Sequence, residues 1–144
     1  MPEFKIYDAD QITINVCGIP VAAGFGDGEF CRIEESDDKF TFYESTDGSV
    51  TRSKTLKRTA IVTLTLAQTA EANDALSALH NLDLAQPNGA GIGAFICRDR
   101  GGRAIYQASK CCVIKPPDVS FDREATTREW KIFLIDHRRF DGGN

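Results

Sequence analysis

Long apolar runs are missing from this 144-residue chain. None approaches the roughly 18–20 residues that cross a bilayer as a helix, so no membrane-spanning helix and no membrane partner are expected. The opening residues, Met-Pro-Glu-Phe-Lys-Ile-Tyr-Asp, lack a signal peptide's apolar core. Histidine is scarce, with two in all, and no Cys-x-x-Cys occurs, so no zinc site and no metal is expected. An excess of positive charge is absent too. A net charge of −4 and a pI near 5.2 speak against a protein that grips nucleic acid or an anionic membrane. The five cysteines, at 17, 31, 97, 111 and 112, are odd in number and unpaired in spacing. Four lie in strand-like apolar surroundings and read as reduced core residues of a cytosolic protein. Repeats and domain-splitting linkers are also missing, so the length implies one domain.

What is present centres on residues 60–84. The first part alternates strictly, with Ala60, Val62, Leu64 and Leu66 on one face and Ile61, Thr63, Thr65 and Ala67 on the other. A period of two with β-branched enrichment is a strand with one face on a core. The period changes at Thr69, which can serve as an N-cap. Glu71 and Asp74 put negative charge in the first helical turn, where the helix dipole favours it. Ala72, Ala75, Leu76 and Leu79 then fall on one helical stripe. The expected helix is about three turns long.

The rest reads as β-structure. Strands are expected at Gln11 to Val16, Phe30 to Glu34 and Phe40 to Tyr43, the last leading into a turn at Asp47-Gly48 and a return arm from Val50. Gly24-Phe-Gly-Asp-Gly-Glu-Phe reads as a glycine-rich turn. Ala94 to Arg98 and Arg103 to Ala108 form a hairpin, and Cys111 to Lys115 a separate short strand stopped by Pro116-Pro117. Thr127 to Asp136 is apolar on both faces and reads as a central strand; the tail from Arg138 reads as turns. The expected fold is mainly β (α+β), a β-sandwich or barrel of about eight strands with one α-helix packed at its edge.

Candidate chemistry is thin. Gly89-Ala-Gly-Ile-Gly93 has a helix before it and a strand after it, the reverse of a phosphate cradle. Asp136-His137 with Cys111 or Cys112 contains triad residue types, but strand neighbours point to opposite faces, so His137 reads as a surface residue. His80 reads as a structural residue of the last helical turn. Glu34-Glu35 and Asp37-Asp38 read as a solvated turn without calcium spacing. No catalytic residue and no cofactor is assigned. The basic run Thr51 to Arg58 is the strongest partner candidate, set against a charge-guarded hairpin edge.

Ordered along nearly the whole chain stand Gly18-Ile-Pro-Val, Gly24-Phe-Gly-Asp-Gly-Glu-Phe, Asp47-Gly48-Ser-Val-Thr-Arg-Ser-Lys, Val62-Thr-Leu-Thr-Leu-Ala-Gln-Thr and Asn73-Asp-Ala-Leu-Ser-Ala-Leu. Lys115-Pro-Pro-Asp-Val, Arg123-Glu-Ala, Arg128-Glu-Trp and Gly142-Gly-Asn follow. This set resembles the tail tube (inner tube) proteins of contractile-tailed bacteriophages, a phage structural protein family. Cys111-Cys112 departs from the apolar or aromatic pair expected there. The resemblance implies a single tail-tube-like domain over residues 1–144, and a homo-hexameric ring whose inner sheets join into one barrel. Rings stack into a tube that conducts genomic DNA into the host without binding it specifically. It further implies tail sheath, baseplate and tape measure proteins as partners, and a place in the virion tail after assembly in the host cytoplasm. Type VI secretion-like tubes share the fold, and a small ligand-binding β-barrel or enzyme is the reading from another class.

Two residue sets follow as expectations. Residues 44–58 form an extended hairpin for inter-subunit or inter-ring contact, with Asp47, Arg52, Lys54, Lys57 and Arg58 as contact residues. Glu29, Glu34 and Glu35 flank an early strand and are expected to contribute to an acidic lumen that lets DNA slide, whereas a basic wall would hold phosphates.

Overall fold

The computed structural model describes residues 2–21, 24–26 and 28–143; Asp27 of the glycine-rich turn and Asn144 of the closing motif lie outside the described residues. The chain forms strands β1 (Ile12–Val16), β2 (Ile19–Val21), β3 (Cys31–Glu35), β4 (Phe40–Glu44), β5 (Val50–Lys54), β6 (Ala60–Ala67), β7 (Gly93–Asp99), β8 (Ile105–Lys115) and β9 (Thr127–Phe140), with helix α1 (Ala72–Ala85) between β6 and β7. Seven strands make one sheet in the order β2-β1-β7-β8-β9-β6-β3, and β4-β5 stand apart as a hairpin. Every described pairing is antiparallel. Helix α1 packs on the edge strand β2 and on β8, so the mainly β fold with one helix at the sheet edge is observed.

One face of the sheet holds the core. The alternation in β6 is realised, with Ala60, Val62, Leu64 and Leu66 fully buried, and Trp130, Ile132 and Leu134 of β9 pack beside them. Ile14, Val16, Val21, Phe95, Cys97, Ala108, Cys111 and Val113 complete the layer, while α1 adds only Leu76 as a fully buried residue. One helix cannot cover a seven-stranded face, so the sheet curls over itself. Cys31 in β3 and Cys97 in β7 line one recess and are near enough for each thiol to shift the other's pKa, upward at Cys31 and downward at Cys97, although three strands lie between them in the sheet order. Right-handed twist accumulated across the strands supports such coiling.

Four differences from the sequence reading have local causes. First, β8 is one strand, not two. A bulge at Ser109-Lys110 shifts its register against β7 and moves the inward phase from Ala108 to Cys111, which breaks the alternation without breaking the ladder. Second, β9 runs on to Phe140. Asp136 takes a left-handed φ of 55° opposite that bulge, so the inward phase passes from Leu134 to His137. His137 is therefore buried rather than a surface residue. Third, Ile19–Val21 pairs with β1 as a short ninth strand. Fourth, Thr69 does not cap α1. Glu71 stands at the cap without a side-chain hydrogen bond, and Asn73 closes the strand-to-helix turn. Its amide donates to the Ala67 carbonyl at 2.8 Å and its oxygen accepts from Trp130 Nε1 at 2.9 Å. The helix runs to Ala85, so His80 is in its middle and not in its last turn.

Candidate functional site

The strand directions give the molecule two ends. Glu35 closes β3 opposite Ala60, which opens β6, and Ala60 lies opposite Leu134 of β9. The β4-β5 hairpin therefore leaves the sheet at the end reached by the last residues of β9. The loop 116–126, between β8 and β9, lies at the other end.

The hairpin is a two-stranded ribbon with every strand residue exposed. Its tip is built by local polar chemistry. Asp47 Oδ1 accepts the Ser49 amide at 2.9 Å, Ser45 N donates to Ser49 O at 2.8 Å, and Gly48 supplies the φ of 90° that the turn needs. The Ser49 amide also holds the Asp47 carboxyl below its usual pKa. Phe40 faces Lys54 and Phe42 faces Arg52 across the ladder. One face of the ribbon therefore carries aromatic rings and cations together, with the Arg52 guanidinium 3.7 Å over the Phe40 ring. Phe42 is 66 % and Tyr43 69 % exposed. Of the residues expected to make contact, Arg52 and Lys54 share this face, Asp47 is at the tip, and Lys57 and Arg58 are at the base. The aromatic side of the surface lies in β4, before residue 44, and the basic run alone did not disclose it.

The base is held to the sheet. Lys39 Nζ donates to Lys57 O at 2.7 Å and lies 3.1 Å from Glu35 Oε2. The His137 amide donates to Arg58 O at 2.8 Å. His137 Nε2 is 3.2 Å from Glu35 Oε1, but neither ring nitrogen has a properly aligned hydrogen bond. Burial lowers the His137 pKa; Glu35 opposes this shift, and Arg139 and Lys39 add to it. Arg139 grips Asp141 at 2.7 Å, and the Tyr106 hydroxyl donates to the same carboxylate at 2.8 Å. Arg139 and Tyr106 thereby hold Asp141 below its ordinary pKa. Beside this network lies an open recess of about 700 Å³. The sequence reading placed Arg139 and Asp141 in a turn-rich tail; the apolar Phe140 was the one sign that the strand continued.

The three acidic residues separate. Arg32 reaches Glu34 at 3.0 Å and Glu29 at 3.9 Å on the exposed face of β3. Glu35 shares the inward phase of Cys31 and Ile33, so it cannot line one wall together with Glu34. All five cysteines are free, and Cys17 Sγ lies 3.3 Å from Cys111 Sγ. No described group of histidine, cysteine, aspartate or glutamate is arranged to hold a metal, and no described helix is long and apolar enough to cross a membrane.

Residues 8–139 match the family described as bacteriophage PhiTE tail tube protein. The chain belongs to the phage tail tube protein family. Structural protein ORF10 of Pseudomonas phage KPP10 is 30% identical over 143 residues, covering 96% of this chain and 83% of that relative. Among solved structures, the sheath/tube terminator of an extracellular contractile injection system (PVC) is similar with a TM-score of 0.60 at 13% identity, over 96% of this chain and 98% of that one. The cap that terminates the anti-feeding prophage tube gives 0.58 at 10% identity, over 97% and 94%. A chain of the PVC sheath–tube complex gives 0.54 at 11%, over 92% and 90%. At these identities the solved structures speak to the fold alone, and the fold is that of contractile injection tube components. This tail tube protein is a structural subunit of the phage tail.

Proposed function

We propose that this tail tube subunit forms hexameric rings that stack into a hollow tube, and that genomic DNA passes through the tube into the host without specific binding. The family match across residues 8–139 carries this reading. The structure supports it physically. The sheet ends in two strands, β2 and β3, each with one side unpaired among the described strands. Open edges of this kind are a liability until another chain pairs them, and ring closure removes them. Sheath, baseplate and tape measure proteins are the proposed neighbours in the tail, with assembly in the host cytoplasm. Residues 44–58 reach the adjacent subunit or ring, where Arg52, Lys54, Lys57 and Arg58 meet acidic groups and Asp47 shapes the tip. Glu29 and Glu34, on the exposed face of β3, contribute to an acidic channel wall; Glu35 serves the network at the hairpin base.

A ligand-binding barrel of this kind would hold its ligand on the inward face. Here the inward face is filled by Leu64, Leu66, Trp130, Ile132 and Leu134. Negative-stain microscopy of the purified protein tests the proposal, with six-fold rings or tubes as the expected outcome. Light scattering that finds only monomer across a wide concentration range would refute it.

A further inference from the structure

The recess beside the hairpin base is lined by six lysines and arginines against two carboxylates, Glu35 and Asp141, on a chain whose net charge is −4. Its walls also carry Phe40 and Leu56, the latter 83 % exposed. The buried His137 at its inner side has no aligned partner on either ring nitrogen. Such a surface calls for a partner segment that is both acidic and apolar. The chain has two. The N-terminal segment 2–10, with Phe4, Ile6, Asp8 and Asp10, leads into β1 at Ile12, which lies opposite Asp99 of β7. Asp99 follows Arg98, which pairs with Ile105 of β8, itself opposite Phe140 of β9. That segment is thus at the same end as the recess. The loop 116–126, Pro-Pro-Asp-Val-Ser-Phe-Asp-Arg-Glu-Ala-Thr, carries three carboxylates against one arginine, with Phe121 79 % and Val119 57 % exposed. It joins Lys115 to Thr127, at the opposite end of β9. Fourteen residues of strand separate the two ends by about 40 Å.

We infer that the loop 116–126 of one copy docks into the basic recess of a second copy, head to tail, with Phe121 set against Phe40 and Leu56 and with Asp118 and Asp122 facing Lys57 and Arg58. A surface pairing with a different surface at the other end of the same molecule is heterologous and, where its rotation does not close into a ring, extends as a stack of rings requires. The proline pair at 116–117 restricts the loop before it binds, which lowers the ordering cost of docking. The inference rests on the tube reading and assigns to the hairpin end the surface that receives it in the next ring.

The test combines sedimentation, negative-stain microscopy and thermal unfolding of wild type, Phe121→Ser, a Lys57→Glu/Arg58→Glu pair, and that pair combined with Asp118→Lys/Asp122→Lys. The expected result is unchanged unfolding throughout. Phe121→Ser and the Glu pair should shorten or abolish tubes while rings persist, and tube length should return in the combined variant. Full-length tubes from Phe121→Ser and the Glu pair, or no recovery in the combined variant, would overturn the docking while leaving the tube subunit in place. A wild type that forms neither rings nor tubes overturns both.

Discussion

Removing the β4-β5 hairpin is expected to separate folding from assembly. Thr55 N donates to Lys39 O at 2.9 Å, so these two residues stand opposite each other and can be joined by a two-residue Asn-Gly turn in place of residues 40–54. The excision keeps the Lys39–Glu35 pair and the His137 bond to Arg58 O. None of the ten strand residues lost is buried, so the stability change should stay within about 1 kcal/mol, or about 4 °C in Tm for a domain of this size. Assembly should respond differently. Phe40, Phe42, Tyr43 and Val50 each have between 40% and 69% of their surface free to be covered. At about 2 kcal/mol per fully buried side chain, the four together offer roughly 5 kcal/mol per subunit to a neighbour. The prediction is a folded protein with an unchanged melting transition and no long tubes by electron microscopy. Loss of the transition would show that the hairpin belongs to the core, and normal tubes would show that the contact lies elsewhere.

Three further outcomes are expected. Asn73→Ala leaves the buried Trp130 Nε1–H without its partner and takes one of two donors from the Ala67 carbonyl, which keeps the Ala70 amide, and should cost about 1–3 kcal/mol in urea unfolding; a change under 0.5 kcal/mol would remove Asn73 from the strand-to-helix turn. His137 has a folded-state pKa below its ordinary 6.5, so its contribution to stability is fully present above about pH 6.5 and declines as pH falls through the lowered value. His137→Gln should flatten that part of the pH–stability curve, and an unaltered slope would exclude His137 as its source. Glu29→Lys with Glu34→Lys should slow DNA ejection at low salt and less so at high salt; kinetics unchanged at low salt would place both residues away from the channel.

How much was legible in the chain depends on where local pattern and tertiary pairing agree. The alternation from Ala60 to Ala67 survives intact because β6 is flanked by β9 and β3 and one face is wholly buried. The Asp47-Gly48 turn was legible because its bonds lie within five residues. The break read between Ala108 and Cys111 was real as a change of phase but not as a strand end, because β9 carries the matching irregularity at Asp136. Two strands that shift phase at the same level stay paired, and no single stretch of sequence shows that. The same shift hid His137, which a strict period of two from Trp130 places outward. The Thr69 cap failed for a different reason: Asn73, anchored by Trp130 from β9, set the turn instead. The site was half legible. Its cations could be read from Arg52 to Arg58, but Glu35, Arg139 and Asp141 gather there only once β3 and β9 are folded toward each other across β6.

The network at the hairpin base bears on how assembly can be strong without a rigid monomer. Lys39 is tied to Glu35 and to the Lys57 carbonyl, and Arg58 to the His137 amide, so the ribbon leaves the sheet from a fixed root. Beyond that root nothing in β4 or β5 is buried, and the tip is held only by its own ladder and turn. A neighbour that captures the ribbon therefore orders about fifteen residues whose starting point and direction are already set. Backbone ordering costs roughly 1–2 kcal/mol per residue for a free chain, which would exceed the several kcal/mol that the exposed aromatics offer. The preformed β4-β5 ladder has already met much of that cost, leaving mainly side-chain and hinge freedom to be lost on contact. In the proposed contact, then, the ladder, and not the partner, gives the hairpin its shape.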